Sequence, residues 1–331
     1  MNYFNLFCAI MSFLIVYLGT PKLIIYLKKL NLVVKDQNKK DKPLVPQSGG
    51  LIVVVGMLVG VFIFIFFRTF LLQTIILTKE NLIVLFASLL SIIIITFVGF
   101  FDDLIINKEK DRSYGLTQWQ KPLLTLFAAI PLIVISAGQE VVWVPFLGRF
   151  NFGILYPLLF VPIGVVGASN MVNLLGGING LEVGMGIIYI GSLGLFAFVN
   201  QSYIAALISL MMFSALLGFF LYNKYPAKIF PGDSLTYFMG GGLAVIAIVG
   251  NLEKAAIIVS IPFILEFILK LRSNFKAQCY GRWVNGRIKT DYNKIYSLMH
   301  IFTNKGEYTE KQIMRFFILI ELFFALLIWV I

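Results

Sequence analysis

One histidine and two cysteines in 331 residues leave little material for a soft-metal or redox centre. His300 by itself cannot supply a histidine-rich metal site. Cys8 and Cys279 fall on opposite sides of a membrane in the topology developed below, which disfavours a disulfide between them. Charge is scarce too, at 13% of residues, where ordinary soluble domains carry about a quarter. No stretch is left over for a separate soluble domain. What fills the chain is apolar: 59% hydrophobic residues and a mean hydropathy of +0.90.

A bilayer core about 30 Å thick needs about 20 apolar residues per helix. Ten such segments can be drawn, at 4–27, 49–72, 81–101, 121–138, 152–168, 181–199, 202–222, 235–250, 254–271 and 313–331, of which the fifth and eighth are short. The expected architecture is therefore all-α and polytopic, a single transmembrane domain over 1–331 with about ten spanning helices. The first segment has no charged leader and no small-residue cleavage site, and it runs through Pro21 to Lys28. That is the pattern of a retained helix rather than a signal peptide.

The formal charge of +11 invites a nucleic-acid reading, but its distribution points to a lipid bilayer and no nucleic acid. Lys and Arg number six in 28–48, four in 101–121, two in 223–234 and nine in 270–312, while the alternating loops hold only Lys79, Arg149 and Lys254. A bias of 21 against 3 is a positive-inside signal. Both termini are then expected outside. The loops near 28–48, 101–121, 169–181, 223–234 and 272–312 are expected in the cytoplasm. Many of these cations also suit anionic lipid headgroups.

Polar groups at the ends of apolar helices are costly, and here they cluster on that one face. Asp102 and Asp103 close the third segment, where two adjacent carboxylates oppose the helix dipole and repel each other. Either they face water, or a cation compensates them, and Lys121 heads the next segment. Adjacent helical residues point about 100° apart, so the two aspartates are expected to do different work. Asn170 and Asn173 share a helical face. Asn179 and Glu182 follow across Gly176-Gly177, a run that reads as a turn or as a ligand surface. Pro231-Gly232-Asp233-Ser234 opens the eighth segment; Asp-Ser there is also good capping chemistry. An oxygen-only donor set around Asp233, without His or Cys, suits Mg²⁺, or Mn²⁺ in its place. Glu266 and Glu321 read as interhelical hydrogen-bonding groups, and His300 as a packed, satisfied histidine.

These islands occur in an order that resembles one family. Asp102-Asp103, Lys121 before Pro122-Leu123-Leu124, the Asn170-x-x-Asn173 run into Gly177-Ile178-Asn179-Gly180-Leu181-Glu182, and Gly232-Asp233-Ser234 are similar to motifs of the polyprenyl-phosphate N-acetylhexosamine-1-phosphate transferases, glycosyltransferase family 4. Lys35 to Lys39 and Val45-Pro46-Gln47-Ser48-Gly49-Gly50 resemble that family's first cytoplasmic loop. Within the family, the 176–182 run resembles the branch acting with UDP-N-acetylglucosamine and dolichyl phosphate, whereas the peptidoglycan branch carries loop aspartates and a triple histidine absent here. Gln47 stands where the dolichol branch has Glu, and Arg282 and Arg287 stand where it has an Arg-His-Arg element.

The resemblance implies transfer of a sugar-1-phosphate from a UDP-sugar to a polyprenyl or dolichyl phosphate, with release of UMP, as a first membrane step of lipid-linked glycan assembly. Asp233 and Asn173 would hold the metal. Asp102 and Asp103 would organise the acceptor site with Lys121. Asn179 would contact uracil, while Asn170, Glu182, Gln47, Arg282 and Arg287 would bind substrate. The expected setting is a prokaryotic, archaeal plasma membrane, with a homodimer compatible. The alternative is an ion-coupled transporter, which would place such residues near the midplane and repeat its halves.

Overall fold

The computed structural model describes residues 3–71, 78–105, 115–137, 141–144 and 148–330. Three of the four cations expected in loop 101–121, Lys108, Lys110 and Arg112, lie outside them. The chain is mostly helical, as its long apolar runs dictate. In order come α1 (Tyr3–Lys29), α2 (Gly50–Phe66), α3 (Lys79–Ile105), α4 (Gln120–Leu126), α5 (Ile130–Val134), α6 (Val161–Leu174), α7 (Leu181–Val199), α8 (Tyr203–Asn223), α9 (Gly232–Gly250), α10 (Glu253–Val259), α11 (Ile261–Leu271), α12 (Leu298–Thr303) and α13 (Glu310–Leu327). Three two-stranded antiparallel hairpins decorate them: β1 (Val33–Lys35) with β2 (Leu44–Pro46), β3 (Val141–Val144) with β4 (Gly148–Asn151), and β5 (Arg282–Val284) with β6 (Arg287–Lys289).

Among the described residues, seven helices are long and apolar enough to cross a membrane: Tyr3–Lys29, Gly50–Leu71, Lys79–Ile105, Tyr156–Leu174, Leu181–Val199, Tyr203–Asn223 and Gly232–Gly250. Each of the other expected segments is also helical, but in a form the apolar count does not distinguish. The fourth is divided by a 3-10 turn at Phe127–Ala129, and the ninth is broken at Ser260, ahead of Pro262 at the start of α11. A proline in the first turn of a helix gives up no hydrogen bond there, so a new helix starts where the old one ends. The last, α13, carries Glu310, Lys311, Arg315 and Glu321.

The bundle is organised around α9. Its apolar stretch is 83% buried, against 28% for α1, which faces outward over most of its length. α3, α6 and α8 pack on α9. Small residues permit this closeness, as they do in membrane helix packing generally. A Cβ added to Gly99 of α3 would stand 2.3 Å from the Asp233 carbonyl oxygen, and one on Gly50 of α2 would stand 2.5 Å from the Ser234 carbonyl carbon. The first turn of α9 is thus pinched between the start of α2 and the end of α3, which brings three separate polar islands together.

Candidate active site

At the first turn of α9 the two aspartates of α3 take different partners. Asp103 accepts from the Asp233 backbone N–H at 2.7 Å and from the Ser234 N–H at 3.2 Å. Its carboxylate therefore caps α9 from another helix, against the positive end of that helix dipole. This corrects the capping expected from Asp233-Ser234: no side chain of the local segment caps α9. The Asp233 carboxylate is released to face the site. Gly232 has φ +67, and a Cβ there would meet Asp103 Oδ2 at 2.4 Å, so only glycine lets the cap close.

Asp102 points elsewhere. It pairs with the Lys121 ammonium and accepts from the Leu116 N–H, which folds the segment after 115 back over the end of α3. Lys121 also reaches Asp233 Oδ2 at 2.7 Å. The expected partnership of Lys121 with both aspartates is corrected to Asp102 and Asp233; the α9 terminus compensates Asp103. Asp102 and Asp103 are each 1% exposed, whereas Asp233 is 21% exposed. Asp233 is the carboxylate of the three that a ligand can meet.

Around this core the amides are tightly placed. Asn173 donates to Asp233 Oδ2 at 3.0 Å and accepts from Thr236 Oγ1 at 2.7 Å. In that orientation it positions Asp233, with its amide oxygen turned to Thr236. Asn170 donates to Thr125 Oγ1 at 3.1 Å and to the Val166 carbonyl at 2.8 Å, and accepts from the Tyr237 hydroxyl at 3.4 Å. Gln47 donates to the Asp103 carbonyl at 3.2 Å, tying β2 to the end of α3. Among the described residues, no group of three or more His, Cys, Asp or Glu side chains forms a metal cage by itself. The donor chemistry is still that of a hard cation. Asp233 offers a partly exposed carboxylate, with Asp102 buried behind it on Lys121. The Asn173 amide oxygen faces Thr236 and would have to turn to reach a cation. Mg²⁺ is commonly held by one or two carboxylates, the rest of its shell being water and substrate phosphate.

A second polar group lies across loop 175–180. Asn179 is 2% exposed and fully engaged. Its N–H donates to Glu310 Oε1 at 2.9 Å, its amide donates to Asp36 Oδ2 at 3.1 Å, and its amide oxygen accepts from the Ala227 N–H at 2.8 Å. This corrects the expected base contact: the carboxamide is a cross-link between loops. Lys39 pairs with Asp36 at 3.3 Å and with Glu310. Asn38 donates to the Gly177 carbonyl and accepts from the Gly281 N–H at 3.3 Å. Glu182 accepts from the Gly177 N–H at 2.8 Å, so it holds the glycine loop from the first turn of α7. A cleft of about 220 Å³ opens beside this group, lined by Lys39, Tyr225, Trp283 and Glu310 among others.

The expected substrate residues of the last loop are not part of either group. Arg282 is 76% exposed and bonds Asp291 at 2.5 Å; Arg287 is exposed on the paired strand β6. Their hairpin contributes Trp283 and Ile288 to the cleft instead. Asp36, Asn38, Lys39 and Glu310 were not singled out from sequence as site residues. The first three lie in the basic loop 28–48, whose lysines already served the topology, and Glu310 opens α13.

His300 is packed, as expected. Its Nε2–H donates to the Gln278 carbonyl at 2.8 Å, Nδ1 accepts from the Tyr296 N–H at 3.2 Å, and the ring stacks on Tyr292. Burial holds its pKa below the ordinary imidazole value. Glu266 binds a loop rather than another spanning helix, as described below. Glu321 is fully buried, and among the described residues neither its oxygens nor the Tyr189 hydroxyl have a hydrogen-bond partner, so the expected interhelical bond is not made.

Known proteins share this chain. The family model Glycosyl transferase family 4 matches residues 83–251, from α3 through α9. A protein of Saccharolobus solfataricus with the provisional name UDP-N-acetylglucosamine–dolichyl-phosphate N-acetylglucosaminephosphotransferase is 38% identical over 321 residues, 96% of this chain and 94% of its own. A similarly named protein of Sulfolobus acidocaldarius is 35% identical over 97% of this chain and 94% of its own. The phospho-N-acetylmuramoyl-pentapeptide-transferase of Lactiplantibacillus plantarum is 32% identical over 78% and 79%. With its polar clusters carried at the ends of apolar helices, this integral membrane protein belongs to glycosyl transferase family 4.

Proposed function

We propose that the protein transfers N-acetylglucosamine-1-phosphate, or a related N-acetylhexosamine-1-phosphate, from a UDP-sugar to a polyprenyl or dolichyl phosphate, releasing UMP. The observation that carries this reading is Lys121 held between Asp102 and Asp233 at one end of the bundle. Both reactants are anions, so the work is to neutralise and align them. An oxygen of the lipid phosphate attacks the sugar-bearing phosphorus. The bond from that phosphorus to the bridging oxygen breaks, and UMP leaves with that oxygen.

Lys121 supplies positive charge where negative charge gathers. Asp102 fixes Lys121, Asp103 fixes the first turn of α9, and Asn173 orients Asp233. A phosphate monoester has a second pKa near 6, so the acceptor is largely deprotonated at neutral pH and needs no strong base. Asp233 would hold Mg²⁺ or Mn²⁺, with Asn173 and Asp102 beside it. The cation would neutralise the diphosphate when bound. The nucleotide would lie by the second polar group, whose loops Asn179 locks together.

The charge bias supports ten crossings with both ends outside and the site in the cytoplasm, and the relatives from Saccharolobus and Sulfolobus support an archaeal plasma membrane as the setting. Polar residues gathered at helix ends rather than along a midplane path favour a transferase over an ion-coupled transporter. The test is UMP release by detergent-solubilised protein given UDP-N-acetylglucosamine, Mg²⁺ and a polyprenyl phosphate. Release that requires the lipid phosphate supports the reading; uptake of a solute without UMP release overturns it.

A further inference from the structure

Glu266 sits in α11, fully buried, outside both polar groups described above. A buried carboxylate costs several kcal/mol unless it is well bonded, and this one is. Oε2 accepts from the Leu298 N–H at 2.7 Å and from the Ser297 hydroxyl at 3.0 Å. Oε1 lies 3.4 Å from the Cys279 Sγ and 3.9 Å from the Lys270 ammonium. One side chain therefore grips the last loop at 279 and again at 297–298. Lys270, one turn along α11, adds a bond to the Ala277 carbonyl at 2.5 Å.

The gripped segment runs directly behind the glycine loop. Cys279 Sγ is 3.2 Å from the carbonyl of Leu174, the residue after Asn173. Tyr280 packs against Gly177, where a Cβ would be 3.6 Å from its own. The Gly281 N–H donates to Asn38, whose amide in turn holds the Gly177 carbonyl. Three consecutive residues of the last loop thus brace the segment that joins Asn173 to Asn179.

We propose that Glu266 is a positioning residue for the nucleotide-sugar half of the site: through Cys279 and the 297–298 turn it seats the last loop against the end of α6 and fixes the glycine loop. Its activity readout rests on the transferase reading; its structural readout does not. Glu266 touches no reacting atom. A Gln in its place would set an amide N–H₂ against donors, loosening either the Cys279 side or the Ser297 side.

The experiment compares full-length wild-type protein with Glu266→Gln, Cys279→Ala and Cys279→Ser in detergent. Hydrogen–deuterium exchange is followed over 174–180, and UMP release is followed with UDP-N-acetylglucosamine and undecaprenyl phosphate. In Glu266→Gln, exchange over 174–180 is expected to rise while the first turn of α9 stays protected. KM for the UDP-sugar is expected to rise about tenfold or more, since small misplacements can cost as much as a hundredfold. KM for the lipid phosphate should not change. Cys279→Ala is expected to shift donor KM in the same direction by a smaller factor, and Cys279→Ser, which keeps a donor, to restore it.

Unchanged exchange over 174–180 in a folded Glu266→Gln protein overturns the proposal. So does an equal change in both KM values, which a purely structural role would give. If Glu266→Gln does not fold, the cysteine pair decides: Cys279→Ala with wild-type exchange overturns the proposal, and raised exchange over 174–180 supports it. A wild-type protein that releases no UMP sinks the transferase reading alone, because the exchange result still decides the role of Glu266.

Discussion

The two polar groups sit side by side but are built on different principles. The aspartate group hangs on helices: α3, α4, α6 and α9 each place one to three of its side chains, and glycine contacts fix how closely α3 approaches α9. The Asn179 group hangs mainly on loops, held by cross-links to Asp36, Lys39 and Ala227 and to Glu310 at the start of α13. Helix-borne groups are set by packing that folds with the whole bundle. Loop-borne groups are set by a few polar bonds and can yield one at a time. The first group is suited to chemistry that tolerates no misplacement, the second to admitting and releasing a ligand.

The sharpest way to break this contrast is Asp233→Asn. Turnover is expected to fall by about 10²-fold or more, as when a preorganised charge partner is removed from a reaction centre. The thermal midpoint should stay near that of the wild type. UMP release and a melting curve on the same sample check both halves. Near-wild-type rates at saturating Mg²⁺ would remove Asp233 from the chemistry.

Lys121→Ala is expected to be nearly as damaging, and worse than Lys121→Arg, because it leaves Asp102 buried beside Asp233 with no cation between them. Kinetics with varied lipid phosphate test it. A Lys121→Ala enzyme with full activity would show that the cation is structural.

Asp103→Ala sharpens the comparison from the other side. It strips the cap from α9 and should cost about 1–2 kcal/mol of stability, the usual worth of a cap. Its signature is a lowered melting temperature larger than that of Asp102→Asn, read by calorimetry. An Asp103 variant as stable as the wild type would disprove the cap assigned here.

In the loop-borne group, Glu310→Gln removes the charge that pairs with Lys39 and weakens one bond to Asn179. The expected effect is a several-fold rise in UDP-sugar KM with kcat little changed, since a binding loop rather than the reaction centre is loosened. A fall in kcat at constant KM would place Glu310 in the chemistry instead.

The smallest effect concerns pH. Burial lowers the pKa of His300, so the native loop binds its proton less readily than the unfolded chain does. Unfolding therefore takes up a proton as pH falls through the ordinary imidazole value of 6.5, and the loop loses stability toward acid. Lys270 and Glu266 act on this histidine in opposite senses, and Lys270 reinforces the neutral form. Melting temperatures from pH 7.5 to 5.5 should fall less steeply in His300→Gln than in the wild type.

Several of these features were readable without coordinates, and the reason each was or was not is physical. Asp102, Asp103 and Asp233 stand out because carboxylates are rare in apolar runs, and their different duties follow from the angle between adjacent helical residues. That Asp103 would cap α9 was not readable: its partner lies 130 positions away, and nothing in either segment reports the other. Glu182 and Asn179 were found as polar residues near glycines, yet their bonds turned out to be inward. Arg282 and Arg287 were given a binding role by analogy of position, and the hairpin turns them to solvent.

By itself the sequence determined that this is a bundle of apolar helices, because helix length and hydropathy are read locally along the chain. It also determined which residues are too polar to be there without cause. Only the tertiary structure decided which of them meet. That choice rests on Gly99 and Gly50 letting α3 and α2 close on the first turn of α9, and on loops far apart in sequence sharing Asn179. Such pairings are set by backbone approach between distant segments, which no local pattern of residues encodes.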